Sequence, residues 1–146
     1  MPNQKYEILE HPAESRLKIY GQTLEELFKN AAFALAEILK HDAEKIFKNS
    51  GLKPKTQKLK IKSVDINSLL VDFLSEILAR SQINKCVYEI ANCKLQIAKN
   101  KEASIIVGIA GFPVDHFDED IKAITYQDLN IQKIDGIWQT ILVFDI

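Results

Sequence analysis

Glycine is scarce in this sequence, five residues in 146, and none of the five opens a phosphate-cradling loop followed by a lysine. Nucleotide binding of the P-loop kind is thereby excluded. A nucleophile elbow and a helical pair of metal-binding histidines are missing too, and without His-x-Glu partnered by Cys-x-x-Cys a zinc deaminase is excluded. Cysteine is nearly absent. Cys86 and Cys93 stand seven apart, which suits neither a redox pair nor a zinc ligand set, and an odd separation on one strand would turn them to opposite faces. They read as reduced, small core or surface residues. No segment approaches the length of a membrane span, and MPNQKYEILEHPAESR holds no apolar stretch that could serve as a signal peptide, so a cytoplasmic protein is expected. An excess of one charge is lacking as well. With 19 basic and 20 acidic residues the net charge is -1, and long-range attraction to nucleic acid or an anionic membrane is not a dominant feature.

What is present describes one soluble α+β domain over residues 1–146. The chain is 47% hydrophobic and 27% charged, and its length suffices to bury roughly 70% of the surface its unfolded form exposes. Short strands are expected at Tyr6 to Leu9 and Ser15 to Gly21, the second alternating Leu17 and Ile19 with Arg16, Lys18 and Tyr20. Thr23 with Glu26 forms a capping box, and Leu24, Leu27, Phe28, Ala31, Leu35, Ile38 and Leu39 recur at helical spacing to about Lys40. His41 then suits the helix dipole as a cap. After an irregular piece broken by Asn49-Ser50-Gly51 and Pro54, Lys58 to Lys62 alternates strictly. A second helix starts at the N-cap Asp65 and carries Ile66, Leu69, Leu70, Phe73, Leu74 and Ile77 to about Arg80 or Ser81. Strands follow at Cys86 to Ala98 and Ala103 to Ala110, turned at Asn100-Lys101. The chain then ends in a hairpin of Ile121 to Ile134 and Ile137 to Asp145 joined by Asp135-Gly136. The apolar phase slips between Tyr126 and Leu129, as a β-bulge near Gln127-Asp128 would cause. The expected architecture is a mixed β-sheet with two main helices packed against it.

Chemistry is concentrated in few places. Asp145 and the carboxylate of Ile146 follow the apolar run Ile141 to Phe144, and two anions so placed repel each other unless water, a basic side chain or a cation answers them. Glu10 and Glu14 flank His11-Pro12-Ala13 in a loop that exposes its side chains, where ordinary solvated charges are the simple reading. Asp115 to Asp120 resembles a cation loop but lacks the central glycine and closing glutamate of an EF-hand, so a solvated acidic turn is expected. Lys58, Lys60 and Lys62 read as the solvated face of a strand that discourages edge pairing. Trp138 and the phenylalanines read as core.

Four segments in register carry a resemblance. YEILEHPAESRLKIYGQTLEELFKNAA from Tyr6, the helix segment Ser68 to Leu74, Lys122-Ala123-Ile124-Thr125-Tyr126 and the terminal Phe144-Asp145-Ile146 together resemble the archease family over nearly the whole chain. The resemblance implies an archease-like fold and a protein that acts through a partner. Archeases assist the tRNA-splicing RNA ligase, which joins a 2',3'-cyclic phosphate or 3'-phosphate end to a 5'-hydroxyl with GTP and manganese. They promote guanylylation of the ligase and its multiple turnover. Carried onto this chain, the family's metal ligands fall on Glu14, Asp145 and the main chain of Ile146, with calcium the usual occupant, and its functional lysine falls on Lys122. The implied mechanism brings this cluster into the ligase active site, where it helps arrange metal and triphosphate. RNA and GTP would be met only through the ligase.

The chain departs from the pattern at Glu14, where the family has aspartate, at Pro12 for threonine, at Gln127 for histidine and at Ser15-Arg16 for a small or aliphatic pair. Glutamate can still ligate a hard cation through oxygen, whereas Arg16 would compete with one. Alternatives stay open: Lys122 pairing with Asp145 across the hairpin with no metal; a metal-dependent enzyme using Glu14 and Asp145 with His11 as base; an RNA-binding module using Lys55, Lys58, Lys60 and Lys62.

Overall fold

The computed structural model describes residues 4–9, 14–49, 51 and 54–146. Its elements run β1 (Tyr6–Leu9), β2 (Glu14–Gly21), α1 (Leu24–Leu39), α2 (Ala43–Lys48), β3 (Lys55–Ser63), α3 (Ile66–Asn84), β4 (Cys86–Ile97), β5 (Ala103–Pro113), β6 (Ala123–Thr125), β7 (Gln132–Ile134) and β8 (Ile137–Asp145). The α+β class and the two long helices are as expected. The strands divide into two sheets, one ordered β1-β2-β8-β6 with β7 also on β8, the other β3-β5-β4, and every pairing is antiparallel. The helices join the sheets: α1 packs on β2 and β4, while α3 packs on β3, β4 and β5 and reaches β6.

Local chemistry explains the elements. Thr23 Oγ1 accepts from Glu26 N at 3.0 Å and Glu26 Oε1 accepts from Gln22 N at 2.9 Å, so the start of α1 is satisfied from both sides. Asp65 Oδ1 does the same for α3, accepting from Ser68 N at 2.8 Å. The apolar stripes meet where Phe28 of α1 lies 5.6 Å from Phe73 of α3, both fully buried. Gly21 permits the close passage from β2 into α1, because a Cβ there would lie 2.4 Å from Leu27 N. Asp135 and Gly136 have φ of 51° and 79°, the pair of left-handed residues that a two-residue hairpin turn demands.

Four local expectations are corrected. Helix α3 runs on to Asn84 and stops at Lys85, whose φ of 54° ends it. The piece after α1 contains the short helix α2. Between β6 and β7 the slip is larger than one bulge: seven steps from Thr125 to Gln132 face four from Val143 to Gln139. Residues 126–131 therefore leave the sheet, held by Asn130 N on Thr140 Oγ1 at 3.0 Å and Ile131 N on Asn67 Oδ1 at 2.9 Å. In β4 the register shifts between Ile90 and Asn92, so Cys86 opposes Pro113 and Cys93 opposes Val107, six residues apart on β5. That places the two cysteines on one face instead of opposite ones. Both are free, and burial pushes the Cys93 thiol up to about 11.

Candidate functional site

Strand β8 sits between β2 and β6, and its last residue collects the candidate residues. Glu14 stands directly opposite Asp145 across the β2–β8 ladder, and Asp145 stands opposite Ala123 across the β8–β6 ladder. Residues paired in this way share a face, so the Glu14 and Asp145 carboxylates project together. Ser15 and Phe144, the next pair inward, face the other side, where Phe144 is fully buried and fixes the strand. Lys122 N donates to Asp145 O at 2.7 Å. The preceding residue, Ile121, is buried, and its carbonyl accepts from Gln82 Nε2 of α3 at 2.9 Å. The backbone at Lys122 is thus held from both sides while its side chain is exposed. Among the described residues its ammonium joins no ion pair, so its contact with Asp145 is through the main chain and not across a side-chain salt bridge.

Arg16 and Asp128 belong to the same cluster. Arg16 Nη2 lies 2.7 Å from Asp128 Oδ2 and 3.6 Å from Glu14 Oε1. The guanidinium is closest to Asp128 and remains within ion-pair distance of Glu14, so its charge is shared between the two carboxylates. Asp128 was missed as a site residue in the sequence. Its signal was there, in an acidic residue at the point where the strand phase slips; its φ of 57° turns the excursion back toward Arg16. The neighbouring Thr125 Oγ1 donates to Val143 O at 3.1 Å and accepts from Gln127 N at 3.3 Å, while Tyr126 is exposed.

The donors of Glu14, Asp145 and the main chain of Ile146 are all oxygen, the class that hard cations take. Among the described residues no group of three or more His, Cys, Asp or Glu is placed to hold a metal. Glu14 and Asp145 alone do not make such a set, and a divalent ion would need the main-chain oxygens of Ile146 as well. Glu10, His11 and Pro12 lie outside the described residues.

A second acidic cluster behaves differently. Lys40, at the end of α1, is almost fully buried, and its Nζ lies 3.2 Å from His116 Nε2, 3.8 Å from Asp115 Oδ1 and 4.0 Å from both Asp42 Oδ1 and Asp118 Oδ1. Asp118 N donates to Leu39 O, and Asp118 Oδ2 accepts from His41 N at 2.8 Å. The backbone N–H of His41, followed by the Lys40 charge, holds the Asp118 carboxyl below its ordinary range. The loop Asp115 to Asp120 is therefore in part a packed cap on α1 and not a wholly solvated turn. His41 takes part through its main chain, while the C-cap residue itself is Lys40. The lysines 58, 60 and 62 lie exposed on β3 as expected, and Trp138 is half-buried against the core.

Known proteins resemble this chain over nearly its whole length. Residues 6–146 match the model of the Archease protein family (MTH1598/TM1083). The chain is 36% identical to "Protein archease" of Methanosarcina mazei, with the whole of both chains covered. It is 31% identical to "Protein archease" of Pyrococcus abyssi, covering 98% of this chain and 99% of the relative. Among solved structures, that of protein 1598 of Methanobacterium thermoautotrophicum superposes with a TM-score of 0.79 at 23% identity, covering 97% of this chain and 99% of the other. An archease of Thermotoga maritima, described as a possible chaperone, gives 0.58 at 18% identity, covering 96% of each chain.

Proposed function

The chain belongs to the archease family, and on that premise we propose that it is a non-catalytic protein cofactor of the tRNA-splicing RNA ligase, promoting the ligase's GTP-dependent guanylylation and its turnover. The observation that carries this reading is the register that sets Glu14 opposite Asp145 with Lys122 bonded to the Asp145 carbonyl. Carboxylates and one ammonium on a shared sheet end suit a surface that meets a metal and a triphosphate on another protein.

In this reading Glu14, Asp145 and the main-chain oxygens of Ile146 hold a divalent cation, calcium being the candidate. A cation bound there supplies positive charge and fixes the end of β8. The work of this chain's own residues is positional. Asp145 is fixed through its backbone by Lys122 and through its neighbour Phe144 by the core. Arg16, held by Asp128, sets how much negative charge the Glu14–Asp145 pair retains. Lys122 extends from an anchored backbone and presents a flexible ammonium that can neutralise phosphate oxygens as charge moves during nucleotidyl transfer. The protein presents no nucleophile and base of its own among the described residues of this cluster, and the chemistry belongs to the ligase.

The test is the rate of covalent guanylylation of the purified ligase with GTP and manganese, with and without this protein. Acceleration by the wild type that Lys122→Ala abolishes and Lys122→Arg partly restores supports the reading. Equal acceleration by wild type and Lys122→Ala would remove Lys122 from it.

A further inference from the structure

The outer face of the β3-β5-β4 sheet gathers lysines from both of its edge strands. On β3, Lys58, Lys60 and Lys62 oppose Gly108, Ile106 and Ser104 of β5, and on β4, Asn92, Lys94 and Gln96 oppose the same three residues. Lys60, Ile106 and Lys94 thus form one row across the sheet. All four lysines are exposed. Lys62 pairs with Glu102 at 3.4 Å, while among the described residues Lys58, Lys60 and Lys94 join no ion pair. Lys55 opposes Gly111, which puts it on the other side of the ladder, so the basic face is not the run of lysines in the sequence. It loses Lys55 and gains Lys94.

Charge is segregated here although the chain as a whole is nearly neutral. Most acidic groups lie elsewhere, at the end of β8 and around Lys40; on this side Glu102 answers Lys62 at one end, and Glu89 of β4 stands at the other end beside Ala110. Successive lysines on β3 are spaced by about 6.8 Å, two strand residues. The β3 and β4 rows lie about 9.5 Å apart, two interstrand distances. Between them the central strand offers Ser104, half-buried Ile106 and Gly108, a low floor across which Asn92 lies to accept from Gly108 N at 3.1 Å.

We propose that this face binds the phosphate backbone of a single-stranded polynucleotide laid between the two lysine rows. Lys58 and Lys60 contact phosphates from one side and Lys94 from the other, and the amide of Gln96 lies within the same face to meet sugar oxygens. The strip carries no aromatic side chain on which bases could stack, so recognition is of the backbone and indifferent to sequence. A protein partner is less well matched, because the apolar anchor that a protein hot spot requires is confined to Ile106. The inference does not depend on the ligase reading, since it concerns the chain alone and a surface separate from Glu14, Lys122 and Asp145.

Fluorescence anisotropy of labelled single-stranded RNA and DNA of one sequence, titrated with the whole protein, tests it. Three to four phosphate contacts predict a slope of log affinity against log salt of about -2 to -3, or about 20- to 50-fold weaker binding at about 200 mM than at about 50 mM salt. Lys60→Glu with Lys94→Glu should abolish binding, while Lys133→Glu on β7 should leave it intact, with circular dichroism confirming the fold of each. Preference for RNA over DNA would assign a contact to the ribose hydroxyl; equal binding would assign the interaction to phosphate alone. No binding at low salt, loss shared equally by Lys133→Glu, or binding insensitive to salt would overturn the proposal. So would a Lys60→Glu, Lys94→Glu variant that keeps RNA affinity but fails to bind the purified ligase, which would make this face a protein contact.

Discussion

Two acidic clusters among the described residues, one around Lys40 and one at the end of β8, meet their repulsion in different ways. Around Lys40, three aspartates and His116 close on an ammonium supplied by the chain, one that is almost fully buried. At the end of β8, Glu14 and Asp145 are brought opposite each other by strand register, and the charge that meets them is divided: Arg16 lies 2.7 Å from Asp128 and 3.6 Å from Glu14, and Lys122 engages Asp145 through its main chain. Acidity alone therefore does not identify a cation site. What distinguishes the two is how the protein's own cation is placed: the acidic loop that most resembled a cation site in the sequence closes on one buried ammonium, whereas at the end of β8 a partly exposed guanidinium is shared between Glu14 and Asp128.

Substitutions can break this contrast. Lys40→Met should have the largest effect on stability, because it leaves Asp42, Asp115 and Asp118 facing one another without the ammonium they share; a lowered urea midpoint reads it directly. The acid limb should follow the same cluster. The carboxyl of Asp115 is held low by its own backbone N–H and the adjacent His116, and that of Asp118 by His41 N–H and Lys40. Carboxyls depressed in the folded state add stability that is complete above the ordinary value of 3.8 and lost as pH falls through their lower folded values. Asp118→Asn should consequently flatten the loss of stability below about pH 4 in acid titrations followed by circular dichroism. A smaller change is expected at the other cluster. Arg16→Ala should raise calcium affinity at Glu14 and Asp145 by about two- to fivefold, the scale of one partly exposed charge pair, as measured by isothermal calorimetry. Smallest of all, Lys122→Ala should change the unfolding free energy by less than about 0.5 kcal/mol, read by urea denaturation, since that side chain is exposed.

How much of this was legible in the sequence follows from the range of the forces involved. Capping of α1 by Thr23 and Glu26, the Asp65 cap and the Asp135-Gly136 turn are set by neighbours within four residues, and they stand where the sequence puts them. Helix α2 has six residues, too few for a periodic stripe to show. The end of α3 carries Gln82 and Asn84, polar residues without periodic signal, yet Gln82 is needed to hold Ile121. A single inserted residue in β4 reversed the facing of Cys93, a change that alternation cannot foresee. Of the candidate site, the anions at Asp145 and Ile146 were legible from the residues themselves, whereas Glu14 and Lys122 were joined to them only through family resemblance. Glu14 and Asp145 are separated by nearly the whole chain, and their adjacency depends on β2 pairing with β8, which no spacing encodes. Asp128 required both that pairing and the excursion of residues 126–131 to reach Arg16.

Action of the carboxylate pair and Lys122 on a partner, as proposed above, is measured most directly by multiple-turnover RNA ligation. Limiting cognate ligase, GTP and manganese should be supplied with excess RNA ends and with wild-type protein, Lys122→Ala or Asp145→Ala. Repeated turnover is expected with the wild type and a fall toward the unassisted ligase with either variant, while both variants stay folded. Turnover that is the same with and without the folded wild-type protein, or undiminished by both substitutions, would contradict the proposed action.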